Sequence, residues 1–84
     1  MTFMKDFVID IDDVYIPAKR RKTLNPETVE DLAENILENG QQVPILVRKG
    51  EGRYVLVEGL HRLEACRALG ENTITAQLVH ARRH

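Results

Sequence analysis

Gly59, His61 and Arg62 are the residues of this 84-residue chain whose types and spacing could act together on one ligand. They sit in the stretch Arg53 to Gly70, RYVLVEGLHRLEACRALG. It reads as a strand from Arg53 to Glu58, one glycine, then a helix opening with Leu60-His61-Arg62. A strand that turns on a glycine into a helix start aims unpaired backbone N–H groups at one point. The helix dipole adds partial positive charge there. Gly59 allows the sharp turn and lets a ligand approach with no Cβ in the way. Arg62 offers a permanently charged planar fork of donors. His61 can donate from one or both ring nitrogens and gain charge near neutral pH. The chemistry this set suits is the holding of a phosphate group. The competing reading is that Arg62 pairs with a helix carboxylate and His61 caps the surface. Glu58, beside Gly59, is the best-placed carboxylate for Mg²⁺ or a proton transfer, and it also reads as an ordinary strand-end carboxylate.

Other reactive arrangements are hard to build from this chain. Cys66 falls on the apolar face of its helix and reads as an inert buried thiol. The three histidines, His61, His80 and His84, do not pair with each other or with Cys66 at metal-ligand spacing. The chain has no serine, so no Ser–His–Asp set exists. Lys19-Arg20-Arg21-Lys22 is a run of four cations, either a solvated loop or a basic lip beside an anion site that could contact DNA. Arg82-Arg83 could extend that patch. The net charge of -1 and pI of about 6.3 argue against coating nucleic acid by charge alone. With 43% hydrophobic and 30% charged residues, the composition is that of a soluble globular chain. Its length suits a single domain, residues 1–84, with a modest core that buries about 60–65% of the unfolded surface. No apolar run reaches about 18 residues, so no membrane span is expected. The N-terminus lacks a signal-peptide pattern, and one cysteine cannot form an internal disulfide, so the cytoplasm is the expected compartment.

The elements that must position the corner can be read from local patterns. Met1 to Asp6 reads as a loose terminus and Phe7 to Ile11 as a strand, with Asp12-Asp13 as a turn. Val14 to Pro17 is a second apolar piece stopped by the proline. Asn25 is the expected N-cap of the first long helix, with Pro26 at its first position and Gly40 after its end. Val29, Leu32, Ala33, Ile36 and Leu37 repeat at helical spacing. Pro44 to Arg48 and Arg53 to Glu58 read as a hairpin around Lys49-Gly50-Glu51-Gly52. Alternation puts Tyr54, Leu56 and Glu58 on one face and Val55 and Val57 on the other. The second long helix should bury Leu60, Leu63, Cys66 and Leu69. Thr73 to Val79 is a last strand. This mixture predicts an α+β fold with a small mixed β-sheet and two main helices.

Two boxes give the chain a family resemblance. The first is helix–Gly–x–x–x–Pro–Ile–x–Val–Arg, here Leu32 to Arg48. The second is Gly-x-x-Arg-x-x-Ala, here Gly59 to Ala65, followed by Leu69-Gly70. With the flanking strands, Phe7 to Val79 resembles the N-terminal domain of ParB-type partition proteins, in the ParB/sulfiredoxin-like superfamily. The resemblance implies that fold and a nucleotide site for CTP or ATP with Mg²⁺. In it, Gly59, His61 and Arg62 would hold phosphates. Asn35 falls where relatives carry a Ser or Thr facing the nucleotide, with Asp31 and Thr28 earlier on the same side of that helix. Several departures qualify the match. Leu60 stands where sulfiredoxins carry their reactive Cys, so sulfinic acid repair is not expected. Leu60-His61 replaces the Glu-Arg pair usual in ParB proteins, and Val43 stands where ParB often has Gln. The chain also ends before the helix-turn-helix of those proteins. The expected function is therefore a nucleotide-binding module associated with DNA partition or transcription regulation in bacteria. Its expected partners are a nucleotide and either DNA or a separate DNA-binding protein, with pairing to a second copy left open. The alternatives are a small enzyme of the same fold, such as a nucleotide hydrolase, kinase or nuclease-like protein, and a scaffold that has lost its ligand.

Overall fold

A computed structural model describes residues 5–41 and 43–80. Strand β1 (Asp6–Asp10) runs into a single 3-10 turn at Ile11–Asp13 and a two-residue strand, β2 (Val14–Tyr15). A short helix, α1 (Ala18–Arg21), precedes the long helix α2 (Pro26–Asn39). Then come β3 (Ile45–Lys49), β4 (Tyr54–Glu58), α3 (Leu60–Ala68) and β5 (Thr73–Leu78). The five strands form one sheet in the order β1-β5-β3-β4-β2. It is mixed: β3 runs parallel to β5 and β2 parallel to β4, while β1–β5 and β3–β4 are antiparallel. The expected α+β class is what forms.

The sheet curls. Phe7 on β1 and Tyr54 on β4 have two strands between them in sheet order, yet their ring centroids lie 5.7 Å apart. The concave face holds the core, with Ile9, Ile45, Val47, Leu56, Ile74 and Ala76 packed against Leu60, Leu63 and Cys66 of α3. Full burial of a side chain such as Leu63 or Ile45 is worth about 1.5–3 kcal/mol. Helix α2 lies over α3. It starts where its cap predicts: the Asn25 side chain accepts from the N–H of Glu27 (2.9 Å) and of Thr28 (3.4 Å). It stops at Gly40, whose N–H donates to the Ile36 carbonyl at 2.7 Å.

Four local expectations change. The cationic run is not a loop: Ala18–Arg21 winds into α1, held by Arg21 Nε donating to the Ile16 carbonyl at 3.2 Å. Leu37 does not join the buried stripe of α2 and is 74% exposed, because α2 rests on α3 along Val29, Leu32, Ala33 and Ile36 only, and none of these is fully buried. On α3, Leu69 is half-buried while Ala65 is fully buried, since a methyl side chain lets the helix approach its neighbours closely. Ile11 leaves the first strand for the 3-10 turn, while Asp6 joins that strand rather than a loose end, its carboxylate accepting from Gln77 Nε2 at 2.7 Å.

Candidate functional site

Strand β4 delivers the corner with a β-bulge. Val47 pairs with Leu56 but Leu46 pairs with Glu58, so Val57 is the extra residue. A bulge turns the residues after it to the opposite face of the sheet. Glu58 therefore leaves the face of Tyr54 and Leu56, where plain alternation put it, and joins Leu46 and Gln77, which are partners in register across β3 and β5. The next residue, Gly59, has φ 111° and ψ 27°, a left-handed conformation that side chains resist. A Cβ built on Gly59 would lie 2.7 Å from Ile45 Cγ2. The glycine is thus required by close contact with the core.

Helix α3 starts immediately after it. Leu63 is the first residue to close a helical bond, its N–H donating to the Gly59 carbonyl at 2.9 Å. The N–H groups of Leu60, His61 and Arg62 precede that ladder, and no side chain caps them. Beside this turn is a hollow of about 350 Å³ lined by Val43, Pro44, Leu46, Glu58, Gly59, Arg62 and Gln77. Arg62 forms no ion pair among the described residues. The hollow thus has one free guanidinium, one carboxylate, an amide and an apolar wall. Burial pushes the Cys66 thiol up from its ordinary value, the Glu71 carboxylate adds to the rise, and the Arg62 charge opposes it. That thiol is buried and has little thiolate character.

The other expected site residues are arranged differently. His61 is turned to α2, where its Nε2 accepts the Asn25 N–H at 2.9 Å. An accepting Nε2 carries no proton, so the ring in this tautomer keeps only Nδ1–H to donate. His61 thus ties the start of α3 to the start of α2. Thr28, Asp31 and Asn35 are exposed on α2 and do not line the hollow. Lys19, Arg20, Arg21 and Lys22 are exposed on and just after α1, also away from it. Arg82, Arg83 and His84 lie outside the described residues. Among the described residues no group of three or more His, Cys, Asp or Glu could hold a metal, which leaves Glu58 as the one carboxylate of the hollow. A Mg²⁺ that arrives with phosphates needs only one or two protein carboxylates and keeps its waters, so Glu58 fits that role.

A larger hollow, about 470 Å³, opens at the far end of α3. It is lined by Asp10, Asp12 and Glu71, and its Arg67 is already engaged by Asp12 (3.6 Å) and Glu64 (3.4 Å). Three carboxylates and a neutralised arginine make it a poor anion site despite its size.

Sequence reasoning did not find Gln41. Its amide accepts the Thr75 N–H at 2.9 Å, donates to the Thr75 carbonyl at 2.9 Å and donates to the Val43 carbonyl at 3.1 Å. Because the β3–β5 ladder begins at Ile45–Ala76, this side chain adds one more rung to it and fixes the Val43–Pro44 wall of the hollow. The only sequence signal is a glutamine directly after the helix-ending glycine.

Comparison with known proteins matches residues 7–84 to the family model of the ParB N-terminal domain. The chain is 37% identical over 70 residues to a probable chromosome-partitioning protein ParB of Campylobacter jejuni, covering 82% of this chain and 25% of that protein. The chain therefore spans about a quarter of the length of such relatives. The crystal structure of sulfiredoxin from Arabidopsis thaliana superposes with a TM-score of 0.81 at 28% identity, covering 92% of this chain and 86% of that one. A C-terminally truncated chromosome-partitioning protein ParB of Caulobacter crescentus, complexed with CTP-gamma-S, superposes with a TM-score of 0.80 at 29% identity, covering 93% of this chain and 46% of that one.

Proposed function

Given that the chain belongs to the ParB N-terminal domain family, we propose that it is a nucleotide-binding module whose phosphate corner is the hollow at Gly59 and Arg62. The observation that carries this reading is that the Arg62 guanidinium, which has no ion pair among the described residues, lines that hollow beside the uncapped first turn of α3. The first-turn N–H groups of α3 and the positive end of its dipole would act together with the guanidinium fork on one anion. A di- or triphosphate satisfies all of them at once. Glu58 would repel a bare phosphate. A Mg²⁺ ion, when bound with the nucleotide, supplies the positive charge that reconciles the two. Arg62 would then orient the phosphates, and Glu58 would hold the metal.

CTP and ATP are the candidate ligands. The Caulobacter relative, 29% identical, is complexed with CTP-gamma-S. His61 would serve the site by holding α2 against α3. It would touch a phosphate through Nδ1 alone or by releasing Asn25. Thr28, Asp31 and Asn35 are the residues a nucleotide would meet only if it extended from the hollow along α2. We place the module in the bacterial cytoplasm, in DNA partition or transcription regulation, with the cations of residues 19–22 available to DNA or to a DNA-binding partner. Among the described residues no helix is long and apolar enough to cross a membrane. An enzymatic role would rest on Glu58 alone as base or metal ligand.

The test is calorimetric titration with CTP, ATP and GTP, each with Mg²⁺, for the wild-type chain and Arg62→Ala. One nucleotide should bind, and the variant should lose that binding. Equal affinity in Arg62→Ala would overturn the site assignment.

A further inference from the structure

One row of side chains crosses the sheet into the hollow beside Gly59. Asp6, Gln77, Leu46 and Glu58 are partners in register from strand to strand, on β1, β5, β3 and β4. Their chain neighbours Ala76, Ile45 and Val47 are buried in the core, so alternation turns Gln77 and Leu46 to the opposite face. Leu46, Glu58 and Gln77 line the hollow together with Arg62 and the Val43–Pro44 wall. Neighbouring strands lie about 4.8 Å apart, which sets Gln77 about 10 Å across the sheet from Glu58. A ligand whose phosphates sit at Arg62 and Glu58 can therefore present its other end to Gln77.

The Gln77 side chain is held in one sense. Its Nε2 donates to Asp6 Oδ1 at 2.7 Å. An ionised carboxylate only accepts, so the NH₂ end of the amide must turn to Asp6. The reversed amide would set two oxygens against each other. Oε1 of this half-buried residue is then left with no donor among the described residues. The strands do not need this bond to stay together, because β1 and β5 are already paired from Asp6 to Asp10. What the bond decides is orientation: of the two ends of the amide, the accepting one stays available to the hollow.

An acceptor in a largely apolar surrounding favours a ligand that brings a donor and penalises one that brings a second acceptor. Nucleobases divide on this point. Cytosine and adenine carry an exocyclic amino group where uracil and guanine carry a carbonyl oxygen. We propose that Gln77 sorts the nucleotide by its base, accepting through Oε1 from the amino group of a cytosine or adenine and repelling the carbonyl of their keto counterparts. Asp6 is the positioning residue that fixes the sense of this choice. The inference rests on the reading of the Gly59–Arg62 corner as a phosphate site. Leu46 and Pro44 give a flat ring an apolar surface to lie on. Affinity then comes from Arg62, and selectivity comes from the row two strands away.

Calorimetric titration with Mg²⁺ and two matched pairs of nucleotides tests this: CTP against UTP, and ATP against ITP. Within each pair the ring is the same and an amino group is exchanged for a carbonyl. For the ring that binds, the amino member should bind at least about tenfold more tightly, the size of a good base contact. Gln77→Met, similar in length and without a polar end, should bring the two members to within about threefold of each other. Asp6→Asn can donate as well as accept, so it admits the reversed amide and should narrow the preference. Asp6→Glu only accepts and should keep it. Inorganic tripolyphosphate, which has no base, should bind the wild-type chain and these three variants alike and lose affinity in Arg62→Ala. Equal affinity within both pairs for the wild-type chain would overturn the proposal, whether or not any variant folds. So would a preference that survives Gln77→Met, or one that is the same in Asp6→Asn as in Asp6→Glu. Those results leave the phosphate corner standing as long as Arg62→Ala loses the nucleotide. A wild-type chain that binds no nucleotide, or an Arg62→Ala variant that binds as well, overturns the corner and this inference with it.

Discussion

Arg62 and Gly59 are neighbours in the same corner with separable roles. Arg62 has no ion pair among the described residues and, in the proposed site, would face the ligand, so Arg62→Ala should leave the urea midpoint nearly unchanged while weakening nucleotide binding at least tenfold in calorimetry. Gly59→Ala should behave in the opposite way. It forces a side chain into φ 111° and drives a methyl to 2.7 Å from Ile45 Cγ2, so denaturant unfolding should show a loss of about 2–5 kcal/mol. The sequence made the glycine visible but not its reason, because the clash partner is 14 residues away and becomes a neighbour only across the sheet. Cys66 adds a pH dependence of known sign. Burial raises its pKa above the ordinary 9.0, so the unfolded chain surrenders this proton first. Stability from this group is complete below about pH 9 and declines as pH rises from there through the folded value. Cys66→Ala should flatten that alkaline decline, measured by urea unfolding between about pH 8 and 10.

At the scale of elements, what could be read from the sequence was whatever local chemistry decides. The Asn25–Pro26 start and Gly40 stop of α2, the hairpin of β3 and β4, and the strand–glycine–helix turn all depend on neighbours within a few residues, and all are present. What could not be read depends on pairing across the fold. The bulge at Val57, which re-aims Glu58 into the hollow, is a matter of register against β3. The exposure of Leu37 reflects how narrow a stripe of α2 rests on α3. The Gln41 rung and the His61–Asn25 bond join residues 34 and 36 positions apart. Asn25 serves two helices, capping α2 with its side chain and meeting His61 with its backbone. Asn25→Ala removes the cap alone and should cost about 1 kcal/mol in thermal or urea unfolding. Gln41→Ala should cost about 1–3 kcal/mol, since it leaves the Thr75 N–H and carbonyl without their partner. Because it also frees the Val43–Pro44 wall, it should weaken nucleotide binding without touching Arg62.

For the whole molecule, the apolar core is confined to the space between α3 and one face of a five-stranded sheet, and α2 adds no fully buried residue. A chain of 84 residues with so thin a core has a small margin of stability. Ligand binding should therefore be conspicuous in its melting behaviour. A nucleotide at about one hundred times its Kd adds about 2.7 kcal/mol to a native state that alone binds it. In a domain of this size each kcal/mol moves Tm by roughly 4–8 °C, so saturating Mg²⁺–nucleotide should raise Tm by roughly 10–20 °C. The gain should vanish in Arg62→Ala. A stabilisation by nucleotide that survives Arg62→Ala would place the ligand elsewhere.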